Sequence, residues 1–284
     1  MKRILLLLPL LWETRGMAFG FPETRSLPVA PEATDWTAAS YDFEGIVALS
    51  NCSGSLVRFD DSNDEDQGLI LTNGHCTGSL IDPGKVVVDQ SSNRNFDVLN
   101  SQAKKIGTLH AERLLYGTMT RTDLSLYRVR ETYAEIEKTL QTRALVLGRQ
   151  SPEEGEAIEI LSGYWKRGYA CSIEHIVPTL QEGRWLFSES LRYSRPGCDT
   201  IGGTSGSPVL AAGTRTVVAV NNTGNDGGKA CSVNNPCELE GEGKVIAQKG
   251  YSYAQQTAWL YGCRNAEGGL DLKQSTCKLP KLAP

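Results

Sequence analysis

From Phe43 onward, short apolar runs alternate with turn-forming clusters. Gly45-Ile46-Val47-Ala48-Leu49 and Gly54-Ser55-Leu56-Val57-Arg58-Phe59 flank Asn51-Cys52-Ser53, a pattern that predicts a hairpin or a bent strand pair. Asp60 to Asp66 is an acidic loop whose spacing does not match an EF-hand, so a solvated hairpin tip is expected there. Gly68-Leu69-Ile70-Leu71-Thr72 predicts a strand that runs straight into Asn73-Gly74-His75-Cys76. Lys85–Asp89, Phe96–Leu99 and Asp123–Val129 continue the β character, and the polar stretch Glu131–Leu140 reads as a helical connector. A second set of short strands is expected at Leu145–Leu147, Ala157–Leu161, Ala170–Val177, Trp185–Phe187, Pro208–Ala211, Thr216–Val220 and Lys244–Ala247, and Ala254–Tyr261 reads as a terminal helix. Many short strands with turn residues between them argue for an all-β sandwich or barrel and against βαβ units.

The 284 residues, 40% of them hydrophobic, suffice for one large β domain or two smaller ones. A net charge of −4 supplies no electrostatic argument for nucleic acid or an anionic membrane surface. The N-terminus changes the picture more. Met1-Lys2-Arg3 is basic, Ile4–Trp12 is apolar apart from Pro9, and Ala18-Phe19-Gly20 offers small residues at a cleavage spacing. Residues 1–20 therefore read as a secretory signal peptide, too short for an anchor. Residues 21–42, with Pro22, Pro28 and Pro31, read as an arm or pro-segment. An even count of 8 cysteines behind such a leader points to disulfides in an oxidising compartment, secreted or periplasmic.

Chemistry concentrates in Cys198-Asp199-Thr200-Ile201-Gly202-Gly203-Thr204-Ser205-Gly206-Ser207-Pro208. Its glycines permit a tight turn with unobstructed N–H groups, so Ser205 is a candidate nucleophile beside an oxyanion hole; a Gly/Ser-rich hairpin loop is the plainer alternative. Of the 3 histidines, His75 stands out, at the end of a strand and next to a cysteine. His110 reads as part of an exposed connection and His175 as a strand position. Asp123, at the start of a strand, could accept a hydrogen bond from an imidazole, although an aspartate in a turn before a strand is common.

Three segments together carry a resemblance. Leu71-Thr72-Asn73-Gly74-His75-Cys76, Asp123-Leu124-Ser125-Leu126 and Gly203-Thr204-Ser205-Gly206-Ser207-Pro208 resemble the signature segments of the trypsin-like, chymotrypsin-fold serine endopeptidases, in that family's order. Cys52-Ser53-Gly54-Ser55-Leu56 resembles the strand that pairs with the histidine loop there. The resemblance spans roughly Gly45 to Tyr261. It implies two six-stranded antiparallel β-barrels packed together with a short C-terminal helix: a first barrel over residues 43–130, a linker over 131–150, a second barrel and helix over 151–262, and a tail over 263–284. It implies a catalytic His75, Asp123 and Ser205, an oxyanion hole from the N–H groups of Gly203 and Ser205, and a Cys52–Cys76 disulfide. The other pairings stay open: Cys198 with Cys171 or Cys231, and Cys263 with Cys277, among about 105 connectivities.

The chain departs from trypsin at Thr204. Trypsin carries an aspartate there that pairs with a newly cut N-terminus, and no Ile-Val-Gly-Gly precedes the first strand here, so the zymogen switch is expected to be absent. Thr204 to Pro208 is closer to the bacterial glutamyl endopeptidases. Specificity points two ways. Asp199 sits where trypsin has its pocket acid and favours Arg or Lys, whereas Thr200 matches the glutamate-preferring relatives. Those relatives place a histidine on the pocket wall, and the corresponding stretch here, Val220-Asn221-Asn222-Thr223-Gly224, holds none, with Asn221 taken as a substrate contact. The expectation is a secreted monomeric endopeptidase acting on polypeptides, with a lean toward cutting after Arg or Lys. Protein inhibitors are expected as partners, with no nucleic acid, no membrane anchor, no cofactor and no metal. A catalytically silent binding relative, a peptidase of glutamyl specificity and an esterase are the alternatives. The esterase lacks support because Ser207 replaces the last glycine of Gly-x-Ser-x-Gly.

Overall fold

The computed structural model describes residues 41–265 and 269–281. The expected signal peptide, and the arm as far as Ser40, lie outside the described residues. In chain order the strands are β1 (Ile46–Ala48), β2 (Ser53–Arg58), β3 (Gln67–Thr72), β4 (Val86–Ser91), β5 (Asn95–Leu99), β6 (Lys105–Thr118), β7 (Leu124–Thr132), β8 (Leu145–Leu147), β9 (Ala157–Ser162), β10 (Arg167–Glu182), β11 (Trp185–Tyr193), β12 (Pro208–Ala211), β13 (Thr216–Gly224), β14 (Cys237–Leu239), β15 (Val245–Ile246) and β16 (Ser252–Gln256). Helix α1 (Tyr133–Leu140) follows β7, and α2 (Trp259–Gly262) follows β16.

Two closed barrels result, as the resemblance implied. The first runs β1-β5-β6-β7-β3-β2 and closes through β1–β2; the second runs β13-β12-β9-β10-β11-β16 and closes through β13–β16. Strand β8 joins them, pairing in parallel with β2 at Val57↔Leu145 and with β13 at Thr216↔Val146. Closure leaves neither barrel with a free edge among its six strands. Each barrel has an apolar filling. Val47, Leu56, Ile70, Phe96, Val98 and Val129 fill the first, and Ile158, Ile160, Tyr169, Ile173, Leu191 and Val209 the second. A further cluster containing Leu71, Leu126, Leu145, Leu210, Val217 and Trp259 ties the barrels together. Alternation along each strand dictates this split, because successive side chains face opposite sides of the sheet.

The linker helix forms where expected. Thr132 Oγ1 accepts from the Glu135 N–H while the Glu135 carboxylate accepts from the Thr132 N–H, a reciprocal capping box. Two expectations need correction. Ala254–Gln256 belong to β16 and not to a helix, since their pairing with β11 and β13 closes the second barrel, and α2 starts only at Trp259. His110 lies within the 14-residue strand β6, opposite Asn95, not in a connection; its exposed ring bonds to Glu131. Mixed polar and apolar residues hide this strand in the sequence because register shifts against β5 and β7 interrupt its alternation.

Four disulfides staple the structure: Cys52–Cys76, Cys171–Cys198, Cys231–Cys237 and Cys263–Cys277. The second barrel also buries a charge. Glu238 is 0% exposed, receives the Arg192 guanidinium at 2.6 and 2.7 Å, and accepts from the Tyr253 hydroxyl at 2.9 Å. Removing only the cation leaves a buried unpaired carboxylate, so Arg192→Met should lower the unfolding free energy by about 3–5 kcal/mol. Adding Glu238→Leu should recover most of that loss; denaturant unfolding showing no loss in the single variant would contradict the role of this pair.

Candidate active site

The three singled-out side chains arrive at one cleft from different elements. Strands β3 and β7 pair with Thr72 opposite Ser125, which sets the end of β3 beside the start of β7. His75 opens a single 3-10 turn just after β3, and Asp123 directly precedes β7. Asn73 locks the two ends together, its Nδ2 donating to the Asp123 carbonyl at 2.8 Å while its own carbonyl accepts from Ser125 Oγ at 2.8 Å. Gly74 allows the close approach, because a Cβ there would lie 2.0 Å from the Thr118 carbonyl oxygen. The Cys52–Cys76 disulfide ties the turn to β2.

Asp123 is 1% exposed and holds His75 at two points. Its Oδ1 accepts the His75 backbone N–H at 3.0 Å, and its Oδ2 lies 2.6 Å from the ring Nδ1. Such a contact places the imidazole proton on Nδ1 and leaves Nε2 as the ring's basic atom. Burial pulls the imidazole pKa down. The Asp123 charge and hydrogen bond, with a contribution from the Glu182 carboxylate, outweigh that effect and raise it above its ordinary value.

Ser205 comes from the second barrel, on the loop that enters β12. Two tight turns shape the loop: Thr204 N–H donates to the Ile201 carbonyl at 3.0 Å, and Ser207 N–H to the Thr204 carbonyl at 3.0 Å. Gly203 and Gly206 take φ of 91° and 83°, a region that side chains disfavour. The loop is anchored at Ser205, whose carbonyl accepts the Ser53 N–H at 2.8 Å, and at Gly206, whose N–H donates to the Asn221 carbonyl at 2.9 Å. The N–H groups of Gly203 and Ser205 make no hydrogen bond among the described residues. The Ser205 hydroxyl donates to the Asn222 carbonyl at 3.0 Å and not to His75, although both side chains line the same cleft.

That cleft has a volume of about 130 Å³ and lies between the barrels. His75, Asp123 and Ser205 line it with Leu80, Met119 and Trp185, and Thr200, Asn221 and Thr223 lie on its second-barrel side. Thr200 and Asn221 thus reach the cleft wall. Asp199 does not. Its side chain is 58% exposed, pairs with Arg195 at 3.3 Å, and is absent from the cleft wall. The Cys171–Cys198 disulfide fixes the preceding residue against β10, and Asp199 turns to solvent. Glu182, not among the residues singled out from the sequence, ends β10 and lines the cleft. Burial raises its carboxyl pKa, opposed by a hydrogen bond from the Asn234 N–H at 2.7 Å, one with Thr223, and the His75 charge. Only the fold brings this hairpin tip to the cleft, so no local sequence signal marks it. Cys52, His75 and Cys76 also cluster, but both sulfurs are spent in a disulfide and are not available to a metal.

His75 supplies a direct test. An NMR titration should place its pKa above about 6.5, and Asp123→Asn should lower it because burial then dominates. A folded-state pKa raised above the unfolded one stabilises the fold fully below about pH 6.5, and this is lost as pH rises through the folded value. An unchanged pKa in Asp123→Asn would contradict this arrangement.

Residues 52–220 match the family described as the trypsin-like peptidase domain. Comparison with curated proteins gives no significant match. Among solved structures, the chain is similar to the MamO protease domain from Magnetospirillum magneticum, with 13% identity, a TM-score of 0.46, and 77% of this chain and 94% of that chain covered. It is also similar to a Cellulomonas bogoriensis chymotrypsin, with 12% identity, a TM-score of 0.41, and 76% and 90% covered. A third is a glutamic-acid-specific serine protease that uses a histidine triad in substrate binding, with 15% identity, a TM-score of 0.41, and 76% and 92% covered.

Proposed function

The chain belongs to the trypsin-like peptidase family, and we propose that it is a secreted or periplasmic serine endopeptidase that uses Ser205, His75 and Asp123 as nucleophile, base and orienting acid. The observation that carries this reading is the two-point Asp123–His75 contact facing the same cleft as Ser205. Four disulfides support an oxidising compartment.

The reaction begins with a side-chain rotation that moves the Ser205 hydroxyl from the Asn222 carbonyl to His75 Nε2. Ser205 Oγ then bonds to the peptide carbonyl carbon while its proton passes to Nε2. The charge that develops on the carbonyl oxygen meets the N–H groups of Gly203 and Ser205. Collapse breaks the C–N bond, and Nε2 returns the proton to the leaving amine. Water, activated by the same imidazole, releases the acyl group. Asp123 keeps Nδ1 protonated and stabilises the imidazolium throughout.

A fluorophosphonate should label the wild type once, and Ser205→Ala should take no label. Asp123→Asn should lower kcat by about 10⁴. Activity should rise as pH rises through the raised His75 pKa, opposite in sign to the stability contribution of the same pair. A folded wild type that takes no label would favour the silent binding relative, and labelling with ester but no peptide turnover would favour an esterase.

Specificity rests on the cleft wall. With Asp199 at the surface, Glu182 is an acid of the cleft wall outside the proposed triad, and no lysine or arginine stands among the described lining residues. The resulting negative field favours basic over acidic side chains near the scissile bond. A peptide-library digest should show Arg and Lys enriched around the cut and Glu depleted, with the bias flattened in Glu182→Gln. Enrichment of Glu would overturn this preference.

A further inference from the structure

The Gly202–Gly203 peptide decides where one oxyanion donor points, and it is flanked by the two residues least able to hold it. Glycine has no Cβ to bias the backbone, so this peptide can reverse at little intrinsic cost. Thr204, buried at 0% exposure, offers no carboxylate to receive a new N-terminal ammonium. Its Oγ1 instead accepts the Ile201 N–H at 3.4 Å, within the turn itself. The orientation must therefore be imposed from elsewhere.

Two side chains touch this peptide and the next. The indole Nε1 of Trp165 donates to the Gly202 carbonyl at 2.7 Å. The Ser53 hydroxyl, also at 0% exposure, donates to the Gly203 carbonyl at 3.2 Å, accepts the Tyr164 N–H at 3.1 Å, and lies 3.1 Å from Ser162 Oγ. Ser162 Oγ in turn accepts the Trp165 N–H at 3.2 Å. Tyr164 packs edge-on against the Trp165 ring at 4.9 Å. The indole stays close to the glycine it serves, since a Cβ on Gly203 would lie 2.9 Å from Trp165 Nε1.

A trans peptide is planar, with C=O and N–H on opposite sides. Drawing the Gly202 carbonyl toward Trp165 thus turns the Gly203 N–H the other way, and that N–H meets no acceptor among the described residues. We infer that Trp165, supported by Ser53, is a positioning residue that presets the oxyanion hole by holding the Gly202–Gly203 peptide, in place of a zymogen switch. The inference rests on the endopeptidase reading above and adds to it the device that keeps the site permanently competent.

The test compares the wild type with Trp165→Phe and with a protein in which β-(benzothiophen-3-yl)alanine replaces Trp165, which keeps the ring shape but lacks the donor. Active sites are first titrated with a fluorophosphonate, so kcat is expressed per competent site. Both variants should lose about tenfold in kcat per titrated site, the size of one net hydrogen bond, with KM unchanged. A merely structural role would lower the titratable fraction and leave kcat per site intact. Unchanged kcat per site in the benzothiophene protein overturns the inference while the endopeptidase reading stands. A wild type that takes no phosphonate overturns that reading and this inference with it.

Discussion

One constraint governs the site: the carbonyls of Gly202, Gly203 and Ser205 are each tied to the protein by a donor from outside the loop. Trp165 Nε1 takes the first, Ser53 Oγ the second and the Ser53 N–H the third. In planar peptides, fixing the carbonyls also fixes the N–H groups. The Ser205 loop belongs to the second barrel, whereas Ser53 starts β2 of the first. The site is therefore assembled by the docking of two barrels. The shared cluster of Leu71, Leu145, Leu210 and Val217, together with β8 paired to both barrels, holds the Ser205 loop against Ser53.

Charge follows from the same docking. His75 is raised by a buried partner on its own barrel, Asp123, and by a more distant carboxylate on the other, Glu182. Glu182 ends a long hairpin strand, and its oxygen is held by the Asn234 N–H on the loop stapled by Cys231–Cys237. The hairpin and the small disulfide loop thus meet at Glu182 on the cleft wall. Asp199 is drawn off by Arg195, and its carboxylate lies away from the cleft wall.

Much of this was legible because it is local. Strand endings such as Leu71-Thr72-Asn73-Gly74-His75 and the glycine pattern around Ser205 announce tight turns whose residue types are dictated by backbone geometry. The capping box at Thr132 and Glu135 is equally local. What stayed hidden depends on contacts between distant segments. Trp165 and Gly202 are separated by 37 positions, and Ser53 and Gly203 by 150. The helical reading of Ala254–Gln256 failed because pairing to β11 and β13 overrode local pattern, as context commonly does for strands. Asp199 misled for a related reason: spacing from the nucleophile locates a Cα, while a disulfide and an arginine decide where the side chain goes.

The most direct test is a crystal structure of the protein with a peptidyl boronic acid, whose tetrahedral adduct mimics the oxyanion intermediate. The account predicts a bond from boron to Ser205 Oγ, with that side chain turned away from Asn222. One boronate oxygen should lie within hydrogen-bond distance of the Gly203 and Ser205 N–H groups, with the Gly202 carbonyl still on the Trp165 indole. An adduct in which that peptide is reversed, or in which the boronate oxygen finds other donors, would contradict it.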